Sequence, residues 1–175
     1  MKNFRRILFS CWCILILMTA CSSPKTAADF VARGDSHSEK VGASEQAEAD
    51  YRAALAIDTM NVQAIDGLGK LKMNSPDELE LTKALEYFNR AISIDPKYVP
   101  AYLHKGQTLA YMHKFSDAVS VFDTALHLSP GNGELFFERG KANVNSGNAA
   151  KGLEDFRRSC EFGFLQGCEI VKKFK

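Results

Sequence analysis

Residues 99–132 read VPAYLHKGQTLAYMHKFSDAVSVFDTALHLSPGN, and this segment decides the fold. In it Tyr102, Gly106, Leu109, Phe115, Ala118, Phe122, Ala125 and Pro130 follow in an order that returns about 34 residues later as Phe136, Gly140, Asn143, Ala149, Gly152, Phe156, Ser159 and Phe164. A period of that length is the signature of helical hairpins stacked side by side, each covering its neighbour's apolar face. Gly106 and Ala118 stand where the two helices of one hairpin cross, because small side chains let backbones approach to the short end of the roughly 8 to 10 Å interaxial range. Phe122 and Ala125 share one face of the second helix. Pro130 stops that helix, since Ser129 before it is driven out of the α region, and Asp95 with Pro96 repeats the device one unit earlier.

Working upstream, Ala84, Phe88, Ala91 and Pro96 keep the register, whereas Ile65, Leu68 and Gly69 lie three residues further back. The turn between Met73 and Thr82, with Asn74, Ser75, Pro76 and Asp77, is where such an insertion costs least. A fainter first unit holds Phe30, Gly34, Ala47, Tyr51 and Ala54. The expected architecture is an all-α solenoid of about four hairpins, at 27–61, 62–98, 99–132 and 133–164. A capping helix at 164–174 follows, in which Phe164, Leu165, Cys168, Val171 and Phe174 recur at helical spacing. Thr59 replaces the terminating proline in the first unit. Gly152 replaces alanine in the last, which lowers helix propensity by roughly 1 kcal/mol and predicts a looser fourth hairpin unless something else, such as the C-terminal cysteines, secures it. The polar stretch from Asp35 to Ser44 is left open between helix and mobile linker.

These positions resemble the tetratricopeptide repeat, with residues 99–132 the strongest match and the likeness running from about Ala27 to Phe164. The resemblance implies a protein-binding scaffold without catalytic activity, whose partner lies along a concave face built from the first helix of each unit. Carried over position by position, that face comprises Asp66 and Lys70 in the second unit, Leu103, Gln107, Ala110 and Tyr111 in the third, and Phe137, Lys141, Val144 and Asn145 in the fourth. Such a strip suits an extended or helical peptide anchored by Leu103, Tyr111 and Phe137. Packing of Tyr111 and Phe137 against neighbouring helices is the alternative.

The N-terminus carries a second signal. Lys2, Arg5 and Arg6 precede the apolar stretch from Ile7 to Ala20, which contains Cys11 and Cys13 and no acid, the layout of a secretory signal over residues 1–20. It is too short to span a bilayer, which needs about 20 apolar residues. Leu17, Met18, Thr19, Ala20 and Cys21 resemble a bacterial lipobox, which implies acylation of Cys21, a tether over 21–25 and a lipid anchor in the membrane. By resemblance to enteric-type sorting, Ser22 after the cysteine implies the outer membrane, periplasmic face, with the inner membrane as the alternative. A plain secretory signal with a free Cys21 is the other option.

Cys160 and Cys168 are too far apart for a bridge within one continuous helix, about 12 Å, so bonding them requires a reversal, for which Gly163 is suited. Their Ser-Cys and Gly-Cys setting is similar to disulfide-linked relatives of the tetratricopeptide fold, which implies a disulfide. Two buried thiols are the alternative.

Nothing in the pattern points to catalysis, a cofactor or a metal. His37, His104, His113 and His127 form no HExxH pair and are expected to face solvent, and no phosphate loop or GxSxG elbow occurs. Ser22 and Lys25 give SxxK only within the tether. The chain has 22 basic and 21 acidic side chains, and removing residues 1–20, with three basic and no acidic ones, leaves 19 against 21. That balance gives no basis for nucleic-acid binding. The expectation is an envelope lipoprotein that helps assemble a pilus, secretion pore or outer-membrane machine by binding proteins or peptides. A regulator docking cell-wall enzymes and a hydrolase of wall precursors are the other readings.

Overall fold

A computed structural model describes residues 26–173. The signal segment 1–20, Cys21 with the 21–25 tether, and Phe174 therefore lie outside the described residues.

The described residues form nine helices and no strand. They are α1 (Ala27–Ser38), α2 (Ser44–Ile57), α3 (Val62–Met73), α4 (Glu78–Ile94), α5 (Val99–Tyr111), α6 (Phe115–Leu128), α7 (Gly133–Asn145), α8 (Ala149–Glu161) and α9 (Leu165–Lys173). Side-chain caps start several of them: Asn61 accepts from the Ala64 N–H, Asp77 from Leu79, and Asn132 from Glu134 and Leu135. Each satisfies amides that the first helical turn cannot bond itself. Before proline the chain leaves the helical region at Ser129 and is extended at Asp95. Asp58 has the same conformation without one.

Consecutive helices pair into hairpins, and an aromatic side chain on the second helix seats on a glycine of the first. Tyr51 lies against Gly34, Phe88 against Gly69, Phe122 against Gly106 and Phe156 against Gly140; a Cβ on any of these glycines would come within 2.5 to 2.8 Å of the ring. Gly106 is thus cut to admit Phe122, the large side chain, and not only to approach Ala118. The alanines at 47, 54, 84, 91, 118 and 125 have no exposed surface. Gly67 admits Tyr51 from the other side, which locks the first hairpin to the second.

The odd-numbered helices touch one another in sequence, α1 to α3, α3 to α5, α5 to α7 and α7 to α9, whereas no two of α2, α4, α6 and α8 are in contact. A layer that is closely spaced beside one that is splayed must bend toward the closely spaced side. The odd helices therefore form the concave face.

Three expectations need adjustment. The additional residues before Phe88 prolong the helix itself, α4 having 17 residues against 14 in α6, so most of the insertion is helical and not loop. The segment from Asp35 to Ser38 completes α1. Gly152 does not loosen its hairpin: a Cβ there would meet Val144 Cγ2 at 2.5 Å and the Gly140 carbonyl oxygen at 2.8 Å, so the glycine is what lets α8 approach α7.

At the C-terminal end Gly163 has φ +82° and reverses the chain between α8 and α9. Cys160 and Cys168 are disulfide-bonded with their Cα atoms 4.5 Å apart. Gly167 lies on Ser159, where a Cβ would meet the hydroxyl at 2.6 Å. The bond and this close approach hold α9 over the last hairpin, the position of a terminal cap in a stacked array.

Candidate functional site

The concave face is built by equivalent positions of α3, α5 and α7. Its ninth positions are Lys70, Gln107 and Lys141, and its thirteenth positions are Tyr111 and Asn145, with Asn74, the residue capping the C-terminus of α3, in the equivalent place. Gln107, Ala110, Tyr111, Lys141 and Asn145 converge on one depression of about 130 Å³, to which Phe115, Glu138 and Ala142 also contribute. Tyr111 projects at its rim, 59% exposed. Lys141 Nζ bonds Glu138 at 2.7 Å and lies 5.3 Å from the Phe137 ring centre, so this ammonium is positioned by its own helix. The side chains of Gln107, Tyr111 and Asn145 bond no neighbour among the described residues.

Other residues of the expected face are engaged inside the protein. Asp66 is 4% exposed and its Oδ1 lies 2.8 Å from His104 Nδ1, so it offers no carboxylate to a partner. Leu103 is buried in the core with Leu109, Phe122 and Leu135. Phe137 packs on Phe156 and Phe164, ring centres 5.6 and 5.3 Å away, the internal alternative to an anchor. Lys70 is half-buried on α3 outside the depression, and Val144 is exposed beside Gly152. Of the three expected apolar anchors, Tyr111 alone is open.

The histidines also depart from expectation. His113 and His127 are exposed, but His104 is wedged between Asp66 and the Phe88 ring, and His37 Nδ1 lies 2.8 Å from Asp50 Oδ2. A polar side chain on the inner layer is shielded by the next hairpin and so must find a partner.

Sequence reasoning missed a pair of polar locks at the two ends. Arg33, one residue before Gly34, bonds Asp50, one residue before Tyr51, with His37 completing the group. Arg139, one residue before Gly140, forks onto Asp155, one residue before Phe156, at 2.6 and 3.1 Å, and reaches Asp123 at 2.6 Å; Asn143 donates to Asp155 at 2.8 Å. Phe30 and Phe136 carry the two guanidinium groups at 5.1 and 5.3 Å. The matching segments FVARGDSH (30–37) and FFERGKAN (136–143) were the available signal. Burial opposes ionisation of Asp50, but the bonds and charges of Arg33 and His37 outweigh it and hold the carboxyl below its ordinary value. For Arg139 burial disfavours the charge, and Asp155 and Asp123 reverse this, raising its affinity for the proton. Two larger depressions of about 290 and 300 Å³ flank Arg139, yet its guanidinium and these carboxylates satisfy each other.

Among the described residues no three His, Cys, Asp or Glu side chains are grouped to hold a metal, and no helix is long and apolar enough to cross a membrane.

Residues 80–98 match the tetratricopeptide repeat family. A thermophilic tetratricopeptide-repeat protein of Thermus thermophilus superposes with a TM-score of 0.76 at 16% identity, over 86% of this chain and 82% of that one. MamA superposes with a TM-score of 0.66 at 18% identity, over 83% and 82%. Among curated proteins, tetratricopeptide repeat protein 36 of Danio rerio is 30% identical over 112 residues, 62% of this chain. A UDP-N-acetylglucosamine–peptide N-acetylglucosaminyltransferase of Giardia intestinalis is 37% identical over 57 residues. The chain spans 60% of the former relative's length and 4% of the latter's. The fold is thus the all-α tetratricopeptide-repeat solenoid, an architecture that serves as a protein-interaction scaffold and is generally without catalytic activity.

Proposed function

We propose that the chain is a non-catalytic, protein-binding scaffold of the bacterial envelope, anchored through acylated Cys21 at the periplasmic face of the outer membrane and aiding assembly of a pilus, secretion pore or outer-membrane machine. The observation that carries the binding role is the concave depression, where an exposed tyrosine and two unused side-chain amides stand on a rigid helix layer. Aromatic rims with fixed polar groups are the usual hot-spot chemistry of peptide grooves. Two features support the compartment: the lipobox-like sequence ending at Cys21, and the Cys160–Cys168 bond, which belongs to oxidising surroundings.

A photo-crosslinking residue placed at position 111 in intact cells tests the role, with position 157 on the outer helix layer as its control. Capture of a defined envelope protein from 111 and not from 157 is the expected result. Identical products from both positions refute the groove. A captured wall hydrolase, instead of a pilus or pore component, selects the regulatory adaptor. Metabolic labelling with a palmitate analogue tests the anchor, and a Cys21→Ser variant that labels as before removes it.

A further inference from the structure

Large apolar side chains recur on one edge of the solenoid, where α2, α4, α6 and α8 end and α1 and α9 begin. Ile57, Ile94, Leu128 and Phe162 hold one position of the repeat, three residues after Ala54, Ala91, Ala125 and Ser159, and Met60 and Leu165 share another, three residues further on. Ile94 is half-buried, and Phe162 rests on Phe136 with ring centres 5.5 Å apart. Even so, Ile57, Met60, Leu128, Phe162 and Leu165 are 38 to 72% exposed. Single exposed apolar residues are ordinary, but a row of them at fixed repeat positions along one edge marks an interaction surface.

The tether says what covers it. Helix α1 starts on this edge, with Ala27 packed on the cluster that holds Ala54 of α2. Residues 21–25 separate Cys21 from Thr26 by at most about 18 Å, even fully extended. An acyl group on Cys21 therefore enters a bilayer close to Ile57 and Met60. On the opposite edge Val41 and Leu79 stand among Lys40, Asn74, Asp77 and Glu78. That edge lies the length of α1 away, 12 residues or about 18 Å, so bringing it to the membrane would consume the whole tether. Around the apolar row Asp58, Asp95 and Glu161 alternate with Lys97 and Arg158, which leaves no single sign of charge to seek an anionic surface.

We infer that this edge lies on the neutral lipid surface that holds the acylated Cys21, with Ile57, Met60, Leu128, Phe162 and Leu165 entering the headgroup layer. The solenoid is then held lengthwise along the membrane, and its helices stand across the surface. Tyr111, at the far end of the 13-residue α5, is presented about 20 Å above the lipid. The inference rests on acylation of Cys21 and adds an orientation to it.

The test uses the acylated protein reconstituted on phosphatidylcholine vesicles, with a bimane dye on one introduced cysteine and nitroxide groups just below the lipid headgroups. With Cys21 acylated and Cys160 bonded to Cys168, the introduced thiol alone takes the dye. Dyes at Met60→Cys and Lys97→Cys are quenched several-fold more than dyes at Val41→Cys and Leu79→Cys, and about 500 mM salt leaves the difference unchanged. An I57S/M60S/L165S background alters only side chains more than half exposed and melts like the parent. In it, quenching at position 97 falls to the level at 79 while the protein still floats with the vesicles. Equal quenching at all positions, stronger quenching at 41 and 79, loss in salt, or an unchanged signal in the triple variant overturns the inference and leaves the anchor standing. Pyrene excimer emission from position 60 without lipid quenching assigns the edge to a second copy of the chain and overturns it as well. Protein that does not float with the vesicles removes the anchor and the inference together.

Discussion

Gly106→Ala isolates the contact on which each hairpin is built. An alanine Cβ would lie 2.5 Å from Phe122 Cε1 and 2.6 Å from its Cζ, well inside van der Waals contact. The ring has no exposed surface and cannot swing out to solvent. Overpacking of this kind costs about 1 to 3 kcal/mol. Alanine regains about 1 kcal/mol of helix propensity over glycine, so the net loss centres near 1 kcal/mol. For a domain of this size that is a fall of about 2–4 °C in Tm. Thermal and urea unfolding followed by circular dichroism at 222 nm measure it. The companion variant Phe122→Leu removes the clashing ring edge. In a double-mutant cycle the two losses should therefore combine to less than their sum, by at least about 0.5 kcal/mol. A Gly106→Ala protein as stable as its parent, or strictly additive losses, would refute the glycine–aromatic account.

Removing the disulfide with Cys160→Ser and Cys168→Ser frees a short loop, and the chain-entropy relation gives a loss of about 2.5 kcal/mol; faster hydrogen exchange confined to α9 and the end of α8 is the expected pattern, and uniform change would contradict it. Asp50 has a folded-state pKa below its unfolded value of about 3.9, so its stabilising effect is complete above that pH and disappears as pH falls through the folded value. Arg33→Leu should move the acid-unfolding midpoint upward, and an unchanged midpoint would show the lock to be inert. His113 has φ +58° in the turn after α5, at the place where Gly147 stands in the next unit. His113→Gly relieves about 1 to 2 kcal/mol of left-handed strain against about 0.4 to 1 kcal/mol of added unfolded-chain entropy. It should stabilise by about 0.5 kcal/mol in urea titrations, and destabilisation would mean that the edge contact with Phe115, at 5.6 Å, matters more than the strain.

What the sequence disclosed, and what it hid, follows from the range of the forces involved. Glycine, alanine, aromatic and proline positions mark backbone approach and termination, which are local, so the helix period and the turn at Gly163 could be read directly. Side-chain direction on the inner layer depends on how far one hairpin rotates over the next, and a repeat register carries no such number. Asp66 and Lys70 are one helical turn apart, yet the first is sealed against His104 and the second is half open. The Arg33 and Arg139 locks escaped notice for a different reason. Their shared motif recurs at the two ends of the array and skips the central units, so a search from one unit to the next does not meet it. Gly152 was misjudged because propensity is a property of an isolated helix, whereas the Gly140 carbonyl that a Cβ would strike belongs to another one.

The distribution of buried charge explains why binding chemistry collects at the centre. A stacked array is weakest at its ends, where a hairpin has a neighbour on one side only. There the chain uses Arg33 with Asp50, and Arg139 with Asp155 and Asp123, as satisfied groups whose disruption would leave a carboxylate stranded under the surface. The hairpin of α5 and α6 is covered on both sides and contributes only Asp123, from its outer helix, to these locks. Its inner helix can present Gln107 and Tyr111 to solvent without a structural duty, and the nearby acids Asp66 and Glu138 are engaged by His104 and Lys141. Stability is thereby concentrated at the ends, and free polar groups at the middle, where both flanks hold the presenting helix rigid. Preorganised donors on such a helix lose little entropy when a partner arrives, the condition under which a small depression can still contribute useful affinity.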